Sequence, residues 1–178
     1  MKRTLSTTAV TLLIAGLAAC SSNSGSGASD QQSTKAKAGA SATPTTSKPL
    51  DASSAFTQIS GKVTSAKQSG TVTAANDPNH LLGRPGQYSS KITFDDTRIP
   101  ADEVSGTDKG DVERGGAIEA FATAADARSR AKYIATVTKS MPALAEYDFV
   151  HGTILVRVSR YLTPAQAAAY KATVDRLS

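Results

Sequence analysis

Residues 88–95, Tyr88-Ser89-Ser90-Lys91-Ile92-Thr93-Phe94-Asp95, alternate in character along their length. Tyr88, Ile92 and Phe94 fall on one side, and Ser89, Lys91, Thr93 and Asp95 on the other, which is the period of a half-buried β-strand. A strand with one apolar face belongs in an antiparallel sheet that packs its core on that face. The segment that follows, from Asp95 to Arg114, is a loop that contains glycine and is rich in Asp and Glu. A second strand is expected from Gly116 to Ala122. Thr123-Ala124-Ala125-Asp126 then has the chemistry of a helix start, with a hydroxyl cap and an acid three residues on. The helix it opens places Ala127, Ala131, Ile134 and Val137 on one face, and Pro142 bounds it.

The same order returns downstream. Tyr147–Val150 and Thr153–Ser159 read as a hairpin around His151-Gly152, with Ile154, Val156 and Val158 toward the core. Thr163-Pro164-Ala165-Gln166 caps a last helix with Ala167, Tyr170, Val174 and Leu177 inward. Ahead of both halves, Phe56, Ile59, Val63 and Ala66 recur at helical spacing, and Gly70 suits the end of such a helix. Thr71–Ala74 is short and extended. The expected architecture is α+β: an antiparallel sheet of about four strands, helices packed on one face, in the order strand–strand–helix twice after an initial helix.

Between the first helix and the Tyr88 strand lies Asn76-Asp77-Pro78-Asn79-His80-Leu81-Leu82-Gly83-Arg84-Pro85-Gly86-Gln87-Tyr88. Asp77 can cap a helical turn with Pro78 in its first position, and Pro85-Gly86 has type II turn chemistry. A loop built on defined turns presents side chains rigidly, so Asp77, His80, Arg84 and Tyr88 are the candidate ligand-binding residues, Arg84 suiting a carboxylate or phosphate. The competing structural role is a plug, with Leu81 and Leu82 covering one end of the core.

The start of the chain has a different character. Met1-Lys2-Arg3 is basic, and an apolar run from Ala9 to Ala19 is interrupted only by Thr11. That is the build of a secretory signal and is too short to span a membrane. It ends in Leu17-Ala18-Ala19-Cys20, which resembles the lipobox of bacterial lipoproteins. The resemblance implies that residues 1–19 are removed, that the Cys20 thiol carries a diacylglycerol, and that the protein is tethered to the outer face of the cell membrane. Two acyl chains anchor stably where one holds only marginally. Cys20 is the sole cysteine, so the acylated protein has no disulfide. Residues 20–54 are then a Ser/Thr/Ala-rich linker without aromatic residues. Such a segment buries too little to offset its ordering entropy and reaches about 30–35 Å. The folded domain is placed at 55–178. Its loop motif, Asn76-Asp77-Pro78-Asn79 with Leu81-Leu82-Gly83-Arg84-Pro85 and Tyr88, is similar to a family of small uncharacterised lipoproteins of actinobacteria, which implies an address at the cell envelope and no chemistry.

Composition narrows the function further. The formal charge of +5 falls to +3 when Lys2 and Arg3 leave, too slight an excess to point to nucleic acid. The chain has two histidines; they are not at zinc-ligand spacing, and no nucleophile elbow, P-loop, dinucleotide fingerprint or EF-hand pattern occurs. No cofactor is therefore expected and no catalytic residue is assigned. The reading that remains is a membrane-anchored binding module for an envelope protein or small molecule. Its rivals are an envelope hydrolase using Asp77, His80 and Arg84, and a purely structural accessory lipoprotein.

Overall fold

The computed structural model describes residues 49–178. The expected signal at 1–19, Cys20 and the expected linker as far as residue 48 lie outside the described residues. The elements are helix α1 (Ala52–Ser60), strands β1 (Ala66–Thr71), β2 (Tyr88–Asp96) and β3 (Gly115–Phe121), helix α2 (Ala124–Lys139), strands β4 (Glu146–His151) and β5 (Ile154–Ser159), and helix α3 (Pro164–Val174). They form a five-stranded sheet in the order β1-β2-β3-β5-β4, antiparallel at every pairing. The α+β class and the antiparallel sheet are as expected, with β1 as a fifth strand. The crossover through α2 carries the chain from β3 past the position of β5 to the edge strand β4. The β4–β5 hairpin then returns to fill the gap.

β1 occupies residues expected to continue the first helix. That helix stops at Gly61 instead. Asp51 caps its start by accepting from the Ser54 N–H, and the interior glycine offers neither side-chain packing nor helix propensity to carry it on. Ala66–Thr71 then pairs with β2 as an edge strand in which only Ala66 is buried, so it has no apolar alternation to announce it. The fold also takes in Leu50 and Ala52, ahead of the expected domain start at residue 55.

The helices do not share one face. α1 and α3 cover the side holding Ile92, Phe94, Ile118, Val156 and Val158. α2 covers the other, with Ala127 and Ile134 against Tyr88, Phe121 and Leu155. Tyr88 reaches the α2 side through an irregularity at the start of β2. A register shift between Tyr88 and Ser90 pairs Tyr88 with Phe121 and Ser90 with Ala120, so Ser89 is a bulge. One extra residue turns a side chain to the opposite face, and Tyr88 leaves the side of Ile92 and Phe94 for the α2 side.

The first core centres on Phe94, which stacks on Tyr170 (5.6 Å between centroids) and meets Phe56 at 5.9 Å. Gly116 stands opposite Phe94 in β3, and a Cβ there would collide with the Phe94 ring and the Arg157 carbonyl. Among the described residues both cores run from Leu50 to Leu177, and the Gln58 side chain donates to the Ser178 carbonyl (2.9 Å). Residues 49–178 thus carry both cores. Gly116→Ala should destabilise them by about 1–3 kcal/mol, the usual range for overpacking, read as a lower denaturant midpoint with unchanged slope. A midpoint equal to that of the parent would contradict the close packing of Phe94 on Gly116.

Candidate functional site

On the α2 side the sheet carries charge where a core would be expected. Register places Lys91, Glu119, Leu155 and Val150 in one row across the sheet, and Thr93, Ala117, Arg157 and Asp148 in the next. Glu119 is 0% exposed. Lys91 Nζ stands 3.2 Å from its Oε1, Arg157 Nη1 3.4 Å from the same oxygen, and Arg130 Nε, from α2, 3.1 Å from its Oε2. Arg157 also forks onto Glu146, donating from Nε at 2.8 Å and Nη2 at 2.9 Å. Burial alone would raise the pKa of Glu119, but Lys91, Arg157 and Arg130 together hold it below the ordinary value. Burial lowers the pKa of Lys91 in turn, opposed by Glu119. The Lys91 ammonium lies 5.2 Å from the centroid of the Tyr88 ring, which screens it further from water.

At the sheet edge Glu146 and Asp148 lie two residues apart on β4 and so on the same face. Burial, and after it the neighbouring Glu146, pushes the Asp148 carboxyl up to about 8. Its Oδ1 is buried and unpaired among the described residues. Asp148 is thus pushed toward its neutral form, beside a network in which Lys91, Arg130 and Arg157 face the carboxylates of Glu119 and Glu146.

Above this floor opens a cleft of about 780 Å³. Lys91, Arg130 and Arg157 border it from below. Tyr133, Ile134 and Val137 of α2, with Leu144, form an apolar side, and Asp111 and Glu113 stand in its acidic rim. The remaining wall is the 76–88 loop, through Pro78, Asn79, Leu81, Gly86 and Gln87. The volume suits a small organic ligand, and the combination of an apolar wall with a few buried polar groups is typical of such sites.

The loop is held by Asp77. Its carboxylate accepts from the backbone N–H groups of Asn79 (3.1 Å), Leu81 and Leu82 (both 2.8 Å), and from the Tyr88 hydroxyl at 2.7 Å. Burial works against the charge, yet these bonds prevail and lower the pKa from 3.8 to about 2. Arg84-Pro85-Gly86-Gln87 closes as the expected turn, with the Gln87 N–H donating to the Arg84 carbonyl (3.0 Å) and Gly86 at φ 71°. Of the four residues singled out from sequence, Asp77 and Tyr88 are brought together as a buried staple. His80, at φ 51°, and Arg84 are exposed, and neither side chain has a hydrogen bond or ion pair among the described residues. None of Asp77, His80, Arg84 and Tyr88 borders the cleft; Leu81 and Leu82 pack on the core below the loop.

Sequence reasoning missed Lys91, Glu119, Arg130, Glu146, Asp148 and Arg157. A signal was present: Glu119 in Gly115-Gly116-Ala117-Ile118-Glu119-Ala120-Phe121 and Arg157 in Ile154-Leu155-Val156-Arg157-Val158 are lone charges in apolar strands. Isolated opposite charges on strands of one sheet point to a buried pair. Among the described residues no group of three or more His, Cys, Asp or Glu could hold a metal ion. Comparison with protein-family models, curated proteins and solved structures finds no match to this chain.

Two expectations follow from the carboxyls. The pKa of Asp148 is raised in the folded state, so its contribution to stability is complete below about pH 3.8 and is lost as pH rises through about 8. Asp148→Asn should flatten the fall in melting temperature between pH 5 and pH 9; an identical fall in the variant would refute the assignment. The pKa of Asp77 is lowered, so its contribution is present above about pH 3.8 and is lost as pH falls through about 2. Tyr88→Phe, which removes a hydrogen bond to a charged group, should cost about 1.5–3 kcal/mol at pH 7, measured by denaturant unfolding.

Proposed function

We propose that the protein is an exported lipoprotein, anchored through a diacylglycerol on Cys20 to the outer face of the cell membrane. Its folded domain is a non-catalytic module that binds a ligand of the cell envelope in the cleft between α2, the 76–88 loop and the sheet. The address rests on the lipobox-like Leu17-Ala18-Ala19-Cys20 behind a basic start and a short apolar run. The observation that carries the binding role is the cleft itself: about 780 Å³, with cationic side chains in its floor and an apolar side. Its wall loop is tied down by the Asp77–Tyr88 pair, so the site is formed before a ligand arrives and little ordering entropy is lost on binding. The hydrolase reading asked Asp77, His80 and Arg84 to converge in one cleft, and all three lie outside it.

Two measurements test the two halves. Cys20→Ser should release the protein from the membrane fraction and abolish incorporation of a labelled fatty acid; retention and labelling in the variant would overturn the anchor. For the domain, residues 49–178 should gain thermal stability with at least one member of a panel of wall fragments, small anions and amphiphiles. Amide shifts on binding should cluster at residues 129–138 and 78–87. Saturation at a hundred times the dissociation constant adds about 2.7 kcal/mol, which is readily detected. Shifts centred instead on His80 and Arg84 would move the site to the outer side of the loop, and no binding by any panel member would refute the module reading.

A further inference from the structure

Arg130 is the arginine of the floor that keeps both of its Nη groups unpaired among the described residues. Its Nε donates to Glu119 at 3.1 Å, and its Nη groups have no hydrogen-bond partner among the described residues. Its side chain is only 11% exposed, and the guanidinium carbon lies 5.8 Å from the centroid of the Tyr133 ring. Arg157, by contrast, is committed on all sides to Glu146 and Glu119. A guanidinium held from below by a buried carboxylate, with its outer N–H groups free at the border of a cleft, is a prepared receptor for one anionic group.

The large exposed apolar side chains of the described residues are Tyr133 (61%), Met141 (42%) and Leu144 (45%). Tyr133 and Leu144 border this cleft, together with Ile134 and Val137, and Met141 directly precedes the short turn Pro142–Leu144. Large apolar side chains left in water beside a cleft mark a surface that something apolar covers. Asp111, Glu113 and Glu146 also line the cleft, which disfavours a head group with more than one negative charge.

We propose that the cleft binds a single-chain amphiphilic carboxylate, its head on the free donors of Arg130 beside Lys91 and its apolar chain along Tyr133, Val137 and Leu144. The proposal rests on the reading of the domain as a binding module and specifies its ligand class. A neutral alcohol of equal length reaches the apolar wall but leaves the guanidinium unanswered, and a short carboxylate does the reverse.

The test is calorimetric titration of residues 49–178 with dodecanoate below its micelle concentration, alongside dodecanol, acetate and dodecyl phosphate. Dodecanoate should bind one to one, about tenfold or more tighter than dodecanol, the worth of a charged hydrogen bond, and tighter than dodecyl phosphate. Arg130→Gln should bring dodecanoate down to the affinity of dodecanol and leave dodecanol unchanged, which also shows that the variant is folded. Should Arg130→Gln fail to fold, Arg130→Lys carries the same comparison, since it keeps a charge for Glu119 and loses the fork. Tyr133→Ala, at an exposed position, should weaken both long-chain ligands equally. Equal affinity for dodecanoate and dodecanol, indifference to Arg130, stronger binding of dodecyl phosphate or no binding of dodecanoate would each overturn the proposal. Amide shifts in the cleft from a wall fragment, with no response to dodecanoate, would overturn it while leaving the binding module in place.

Discussion

A carboxylate with no access to water, Glu119 on the central strand β3, is the constraint to which the α2 face of the sheet answers. An isolated buried charge of this kind would carry a desolvation cost of several kcal/mol. It is tolerated because strands on either side and the covering helix each deliver a cation to it: Lys91 from β2, Arg157 from β5 and Arg130 from α2. Four elements are thereby held in one register. Hydrophobic packing alone specifies such a register weakly on this face, whose apolar residues are few compared with those on the other side. The charges also keep the space between α2 and the sheet from closing as an ordinary core, and the cleft lies there.

Buried tyrosine–aspartate pairs secure the two ends of β2. At its start Tyr88 donates to Asp77 and pins the 76–88 loop over the α2 face. At its end Tyr170 of α3 donates to Asp96 at 2.6 Å, and Arg98 closes on the same carboxylate. In each pair burial raises the tyrosine pKa, and the bond to the carboxylate raises it further, so each hydroxyl remains a donor. The bulge at Ser89 lets one strand serve both faces. Without it Tyr88 would stay on the Phe94 side, the loop would lose its buried anchor, and the cleft would lose a wall.

Much of the fold was legible in the chain. The caps at Thr123 and Thr163, the β4–β5 hairpin, whose turn at Gly152-Thr153 falls one residue past the expected His151-Gly152, and the inward residues of α3 all follow from local rules, and local rules suffice where local energies decide. β1 was hidden because an edge strand owes its place to β2 rather than to its own pattern. The switch of Tyr88 was hidden because a bulge is a tertiary compromise with no residue type reserved for it. At the site, the loop of residues 76–88 was identified as structured, and Asp77 was identified as its cap. The charged side chains that border the cleft carry little local signal, because a charge within a half-buried strand ordinarily faces solvent. Lys91 shows why: alternation tells which residues share a side, but only the second layer, α2, decides that the polar side is buried.

The most direct test of this arrangement is the stability of Glu119→Gln, followed with the amide spectrum of residues 49–178. Removing the shared carboxylate strips Lys91 and Arg130 of their anionic partner and Arg157 of one of its two, so the loss should be about 3–5 kcal/mol, as for other broken buried pairs. Spectral changes should concentrate in α2, β4 and the 76–88 loop while the α1–α3 core keeps its signals. A variant as stable as the parent, with the α2 face unperturbed, would show that the charged network does not hold the cleft, and that account of the site would have to be abandoned.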